Sequence, residues 1–194
     1  AATNQKDYDV IAIESEMEGR NPNAVLNLKN YDINIFGIKS FPFSKTNRII
    51  AFPQNGTITL RRDRNILFGG ILRAGLYSFF GKRFVFNYQQ FKIDLEEVDK
   101  MLLDVVTGMQ PNGEYIVEKV NNSISDIKGF ILIDNPKNKS SRYSIPKYPI
   151  LESTQNSYVF YDHLFNGEYH RDSVYFSIDP FTVDSINNPQ AERV

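Results

Sequence analysis

The chain has 194 residues, 41% of them hydrophobic and 13% aromatic, with a formal net charge of −1 and no cysteine. That is enough apolar material for a real core in one large or two small domains. Near-neutral charge leaves no electrostatic footprint for nucleic acid or anionic lipid. The lack of cysteine removes thiol catalysis, thiolate zinc sites and haem–thiolate chemistry.

Phe, Tyr, Ile and Val favour strands, and Asn and Gly cluster where turns are needed. Tyr8–Glu16 is apolar on both faces and predicts a buried strand. Asn21-Pro22-Asn23 is a turn, followed by strands around Val25–Leu28 and Tyr31–Ile35, the second alternating with period two. Phe41-Pro42-Phe43-Ser44 predicts a corner and Asn47–Phe52 a short strand. Pro53-Gln54-Asn55-Gly56 predicts a tight turn, because Asn-Gly supplies positive φ.

Ile66, Phe68, Leu72 and Ala74 then line one face around Gly69-Gly70, which marks a bulge or a close backbone approach. Leu76–Phe80, Phe84–Tyr88 and Phe91–Leu95 are further short strands. Leu95, Val98, Leu102 and Val105 fit a helical face, while Met101, Leu103 and Val105 fit a strand; the β-rich context favours strand. Tyr115–Val117 and Phe130–Ile133 are strands, and Val120–Lys128 is open between a short helix and a continuation.

The segment from Asn135 to Pro149 follows a β-rich region, 1–134, and carries Pro, Lys, Asn and Ser without periodicity. It predicts a loop that cannot bury itself, mobile and open to proteolysis near Lys137 and Lys139. Beyond it, 150–186 predicts a β-hairpin packing on the same domain, from Ser157–Tyr161 through Asn166-Gly167 to Val174–Ile178. Its aromatic side chains are expected to pack inward, either Phe160 and Phe176 or Tyr161 and Tyr175. The expected fold is mainly β: an antiparallel sandwich or an elongated, solenoid-like domain with at most one or two short helices.

No nucleophile elbow, phosphate loop or metal-ligand spacing is present. Asp162, His163, His170 and Asp172 flank the hairpin connection and carry the ligand types that zinc and iron take, so they are the candidate metal site. Tyr158, Tyr161, Tyr169 and Tyr175 are the candidate ligand-binding residues, since strand aromatics stack on sugar rings or fill a partner's groove. A sheet packed on its core needs the same alternation, and packing is the plainer account of these rings. Arg61-Arg62-Asp63-Arg64 is the only basic run and reads as a solvated turn, because a stripe interleaved with aromatics is missing.

Phe84–Met101 (FVFNYQQFKIDLEEVDKM), Leu132–Leu151 (LIDNPKNKSSRYSIPKYPIL) and the flanks of the hairpin, SYVFYDH and YHRDSVYFSIDPFTVDS, together resemble a segment of very large, uncharacterised envelope or exported proteins of the Bacteroidota. The likeness covers the C-terminal three-fifths of the chain and rests on phrases rather than on a catalytic motif. It implies a β-rich, extracytoplasmic piece of a longer chain, in the periplasm, at the outer membrane or on the cell surface, and carries no activity or functional residues.

The expectation from the sequence is therefore a non-catalytic structural or interaction module that takes no cofactor. Its partners would be other domains of the parent chain or envelope proteins, with a glycan as a further candidate. Nucleic-acid binding and membrane insertion by this segment are not expected. The alternatives are a metal-dependent hydrolase using His163, His170 and nearby carboxylates, and a glycan-binding module using the C-terminal tyrosines.

Overall fold

The structure, a computed structural model, describes residues 11–19, 21–112, 115–120, 122–161 and 170–188. Among these there is no helix, and the strands form one 14-stranded antiparallel sheet that does not close. Among the described residues no helix is long and apolar enough to cross a membrane.

Alternating apolar residues build the centre of the sheet. The strands β1 (Ala24–Leu26), β2 (Ile33–Ile35) and β3 (Phe41–Ser44) lead into β4 (Ile49–Leu60), β5 (Ile66–Ala74), β6 (Tyr77–Asn87) and β7 (Lys92–Met109). The last four form a meander in which each strand pairs with its successor. Its inward face carries Ile49, Ala51, Ile66, Phe68, Leu72, Ala74, Phe79, Phe84, Phe86, Ile93, Leu95 and Met101, all buried. The four β5 residues expected on one face are therefore all in the core. Phe41, Phe43, Phe68, Phe84, Phe86 and Phe91 run through it as a chain of rings with centroids 4.7–6.1 Å apart, spacings at which aromatic pairs attract beyond their area burial.

Beyond the meander lie β8 (Tyr115–Lys119), β9 (Ile124–Ser125), β10 (Gly129–Leu132), β11 (Ile150–Ser153), β12 (Ser157–Phe160), β13 (Tyr175–Ile178) and β14 (Thr182–Val183). The sheet continues β7–β10–β11–β14, while β9 joins β7 to the β12–β13 ribbon. The sheet is strongly curled. In strand order β4 and β10 are four ladder steps apart, about 19 Å if flat at ~4.8 Å per step. Yet Asn47 Nδ2, in the turn before β4, donates to Ile133 O just past β10 at 2.8 Å.

The curl coincides with a line of irregularities crossing the meander, where the ladders shift register beside Pro53, Gly70 and Gly81. Gly70 has φ +117°, and a Cβ there would collide with Phe52 O. A Cβ on Gly81 would collide with Glu97 O.

Several sequence expectations change here. Pro53–Gly56 is not a hairpin turn. Asn55 and Gly56 do take positive φ, 53° and 62°, but inside the continuous strand β4, because β5 pairs with both of its halves and keeps the chain direction. Phe41–Ser44 is an edge strand rather than a corner. It accommodates Pro42 because, among the described residues, it pairs on one side only, and it shifts register between Pro42 and Ser44. The predicted break at Gly81 does not occur, since Gly81 lies inside β6, whereas the one between Tyr88 and Phe91 is the short turn that joins β6 to β7. Of the predicted first strand, Tyr8–Val10 lies outside the described residues. The rest alternates on one face only, with Ile11 and Ile13 against the core and Ala12 exposed, and forms no ladder.

Candidate functional site

Tyr158 and Phe160 share one face of β12 because strand side chains alternate. The register sets Phe160 opposite Tyr175 and Val159 opposite Phe176. Tyr158, Phe160 and Tyr175 therefore meet, with centroids 5.6–6.1 Å apart. Arg171, in the connection, lays its guanidinium 3.6 Å from the Phe160 ring centroid, a cation–π contact. β9 reaches the same place, since Ser125 pairs with Tyr158 and Asp126 follows with φ +59°. Gln155 Nε2 holds that turn by donating to Asp126 O at 2.8 Å. The result is an open cleft of about 310 Å³ lined by Asp126, Tyr158, Phe160, Arg171, Asp172 and Tyr175.

The expected inward packing of the ribbon does not occur. Phe176 is 58% exposed and Tyr175 is 50% exposed. The register places Phe160 and Phe176 on opposite faces, so they cannot pack inward together. β13 is also an edge, bonded only to β12, with no layer over either face among the described residues.

Two of the four candidate tyrosines, Tyr158 and Tyr175, come together in the cleft. Tyr161 follows β12 and does not line it, and Tyr169 lies outside the described residues. Of the candidate metal quartet, Asp162 and His163 lie outside the described residues. His170 is exposed, its carbonyl accepting from the amides of Ser173 and Val174, and Asp172 lines the cleft. Among the described residues no three His, Cys, Asp or Glu side chains converge as metal ligands would.

The sequence reading took Phe160 as an inward-packing ring and missed Arg171 and Asp126. Asp126 enters through the β9–β12 pairing, more than thirty residues away in the chain, which no local pattern reveals. Comparison with family models, with curated proteins and with solved structures gives no match.

Proposed function

We propose that the chain is a non-catalytic interaction module of a larger exported bacterial envelope protein, making its contact through the β12–β13 ribbon. One observation carries this: large rings stand at a sheet edge where burying them in the chain's own core would be more favourable. Tyr175 and Phe176 show opposite faces of that edge to solvent, and Tyr158 and Phe160 floor the cleft. Exposed aromatic surface of this kind is what contact surfaces concentrate, and it is costly to leave in water. The envelope placement rests on the resemblance of the three sequence phrases.

The test compares hydrogen exchange in the parent chain and in this segment alone. The Tyr175–Ile178 amides are expected to exchange slowly in the parent chain and quickly in isolation. Equal exchange in both removes the ribbon as a contact between domains.

A glycan is the second reading, favoured by the Asp126 and Asp172 carboxylates beside the ring cluster. Sugar C–H faces stack on rings while hydroxyl groups donate to carboxylates. Titration with envelope oligosaccharides should shift the Tyr158 and Tyr175 ring resonances, and Tyr158→Ala should weaken binding at least tenfold. Unmoved resonances exclude this reading.

A further inference from the structure

The loop read from sequence as unable to bury itself is instead folded against the β3–β4 turn. Asn138 is 4% exposed, and its side chain donates to Asp134 Oδ2 at 2.9 Å and to Tyr143 O at 2.8 Å while accepting from Tyr143 N. This holds Lys139, Ser140 and Ser141 opposite Ser44, Lys45 and Thr46, around a cavity of about 280 Å³ whose remaining wall is Ala12, Pro42 and Phe43. Among the described residues no carboxylate lines it.

The charge in this region is one-sided. Lys139 Nζ lies 5.1 Å from the Tyr88 ring centroid and Arg64 Cζ lies 4.4 Å from the same centroid. One ring thus gathers two cations, and the basic run from Arg61 to Arg64 gains the aromatic interleaving it lacks in sequence; Arg62 likewise stands over Tyr31. Among the described residues the ion pairs are Lys39–Glu16, Arg73–Asp104, Arg83–Glu96 and Lys92–Asp94, so Lys45, Arg64 and Lys139 have none. The loop's own carboxylate, Asp134, is buried and accepts from Asn135 N and Asn138 Nδ2 rather than from a lysine. Lys139 uses one donor on Pro136 O and keeps two. The hydroxyls of Thr46, Ser140 and Ser141 make no hydrogen bond among the described residues, whereas Ser44 Oγ already accepts from Asn47 N.

We propose that this cavity binds a tetrahedral oxyanion, a phosphate or sulfate group. Uncompensated ammonium groups and open hydroxyl donors are what such an anion's oxygens accept from, in charge-assisted bonds. Neutralising them relieves the like-charge crowding around Tyr88.

The experiment is an NMR titration of this protein with inorganic phosphate against chloride at matched ionic strength, repeated with Lys45→Gln and Lys139→Gln. Melting alone would mislead, because phosphate and sulfate stabilise folded proteins generally. The expected result is saturable shifts confined to the amides of 44–46 and 139–141, with Kd at least tenfold weaker in each variant. Should Lys139→Gln fail to fold, Lys45→Gln still decides, since Lys45 is exposed and holds the turn only through its carbonyl, which accepts from Arg48 N and is unchanged by the substitution. Glucose 6-phosphate and phosphatidylglycerol vesicles identify the source: tighter binding of the ester assigns a phosphorylated glycan, and tighter binding of the vesicles a lipid headgroup. Shifts spread evenly over surface lysines, or unchanged in both variants, overturn the site. Tightest binding to a single-stranded oligonucleotide, lost in Arg62→Gln and Arg64→Gln, overturns it in favour of a nucleic-acid surface.

Discussion

The central meander and the β12–β13 ribbon are built from the same residue types and meet opposite fates. In β6, Phe79, Phe84 and Phe86 are wholly buried, while in β13 Tyr175 and Phe176 are half exposed or more. Strand propensity is the same in both places. The difference lies in neighbours. β6 is flanked by β5 and β7 along its length and covered on its inner face by the curl of the sheet. β13 has one neighbour and no cover among the described residues. Aromatic content marks strands, but position in the sheet decides whether a ring stabilises the fold or is left for a contact.

Substitutions in the two regions should break or confirm that contrast. The largest effect is expected from Phe84→Ala, which opens a cavity in the ring chain and should cost about 3–5 kcal/mol in denaturant unfolding. Phe176→Ala should stay within about 0.5 kcal/mol. Equal costs would show that the ribbon is as much a part of the core as β6.

Glycines sharpen the same comparison within one sheet. Gly81→Ala drives a Cβ into the Glu97 backbone at the bend and should cost about 1–3 kcal/mol. In Gly108→Ala the new Cβ meets the Ile116 side chain, Cδ1 at 3.5 Å and Cβ at 4.0 Å, both ordinary contacts. That change should be neutral or stabilise by up to about 1 kcal/mol. Thermal melts of the two variants moving together would remove the bend as the cause.

Asn138→Ala leaves the buried Asp134 carboxylate short of a donor and should cost about 1–3 kcal/mol. The same variant tests the loop. Trypsin should cut slowly after Lys137 and Lys139 in the parent protein and quickly in the variant. Rapid cutting in both would restore the picture of an unanchored linker.

The smallest effect belongs to the Glu16–Lys39 pair at the surface, 2.6 Å apart. The hydrogen bond from Lys39, then its charge, hold the Glu16 carboxyl below its ordinary value and raise the Lys39 ammonium. For Glu16, folded below unfolded means the stabilisation is present above the unfolded carboxyl value and lost as pH falls through the folded one. For Lys39, folded above unfolded means it is present below the unfolded lysine value and lost as pH rises through the folded one. In Lys39→Met the Glu16 side-chain titration should move up, as read by NMR. An unmoved titration would show that the pair does not persist in solution.

Much of the fold is legible in the sequence where burial on one face sets a period of two, as in β5. It is less legible where the sheet bends. The ambiguity around Leu95–Val106 has a physical origin. Opposite Gly81 and Arg83, β7 carries Glu96 and Asp99 as extra residues, so the buried positions fall at Leu95, Val98 and Met101. Two bulges give a strand the three-residue spacing of a helix. For the candidate site, Tyr158 and Tyr175 could be picked out because they lie in a predicted hairpin. Asp126 and the Tyr88-centred cations could not, because long-range pairing and loop folding bring them together.

The length of β7 also limits where the chain can tolerate an inserted or deleted residue. This strand holds its register with β6, β10, β9 and β8 in turn. Because side chains alternate, one residue gained or lost near Leu103 would turn every later side chain of β7 over and offset its ladder to β8. Between Leu95 and Lys100 the same change meets a different response. Glu96 and Asp99 on β7 and Lys82 on β6 have no partner in the ladder there, so the bend already absorbs unmatched length on both strands. Length variation within this strand should therefore be survivable at the bend, and again at Thr107, where an extra residue already shifts the ladder to β8, but not at Leu103 between them.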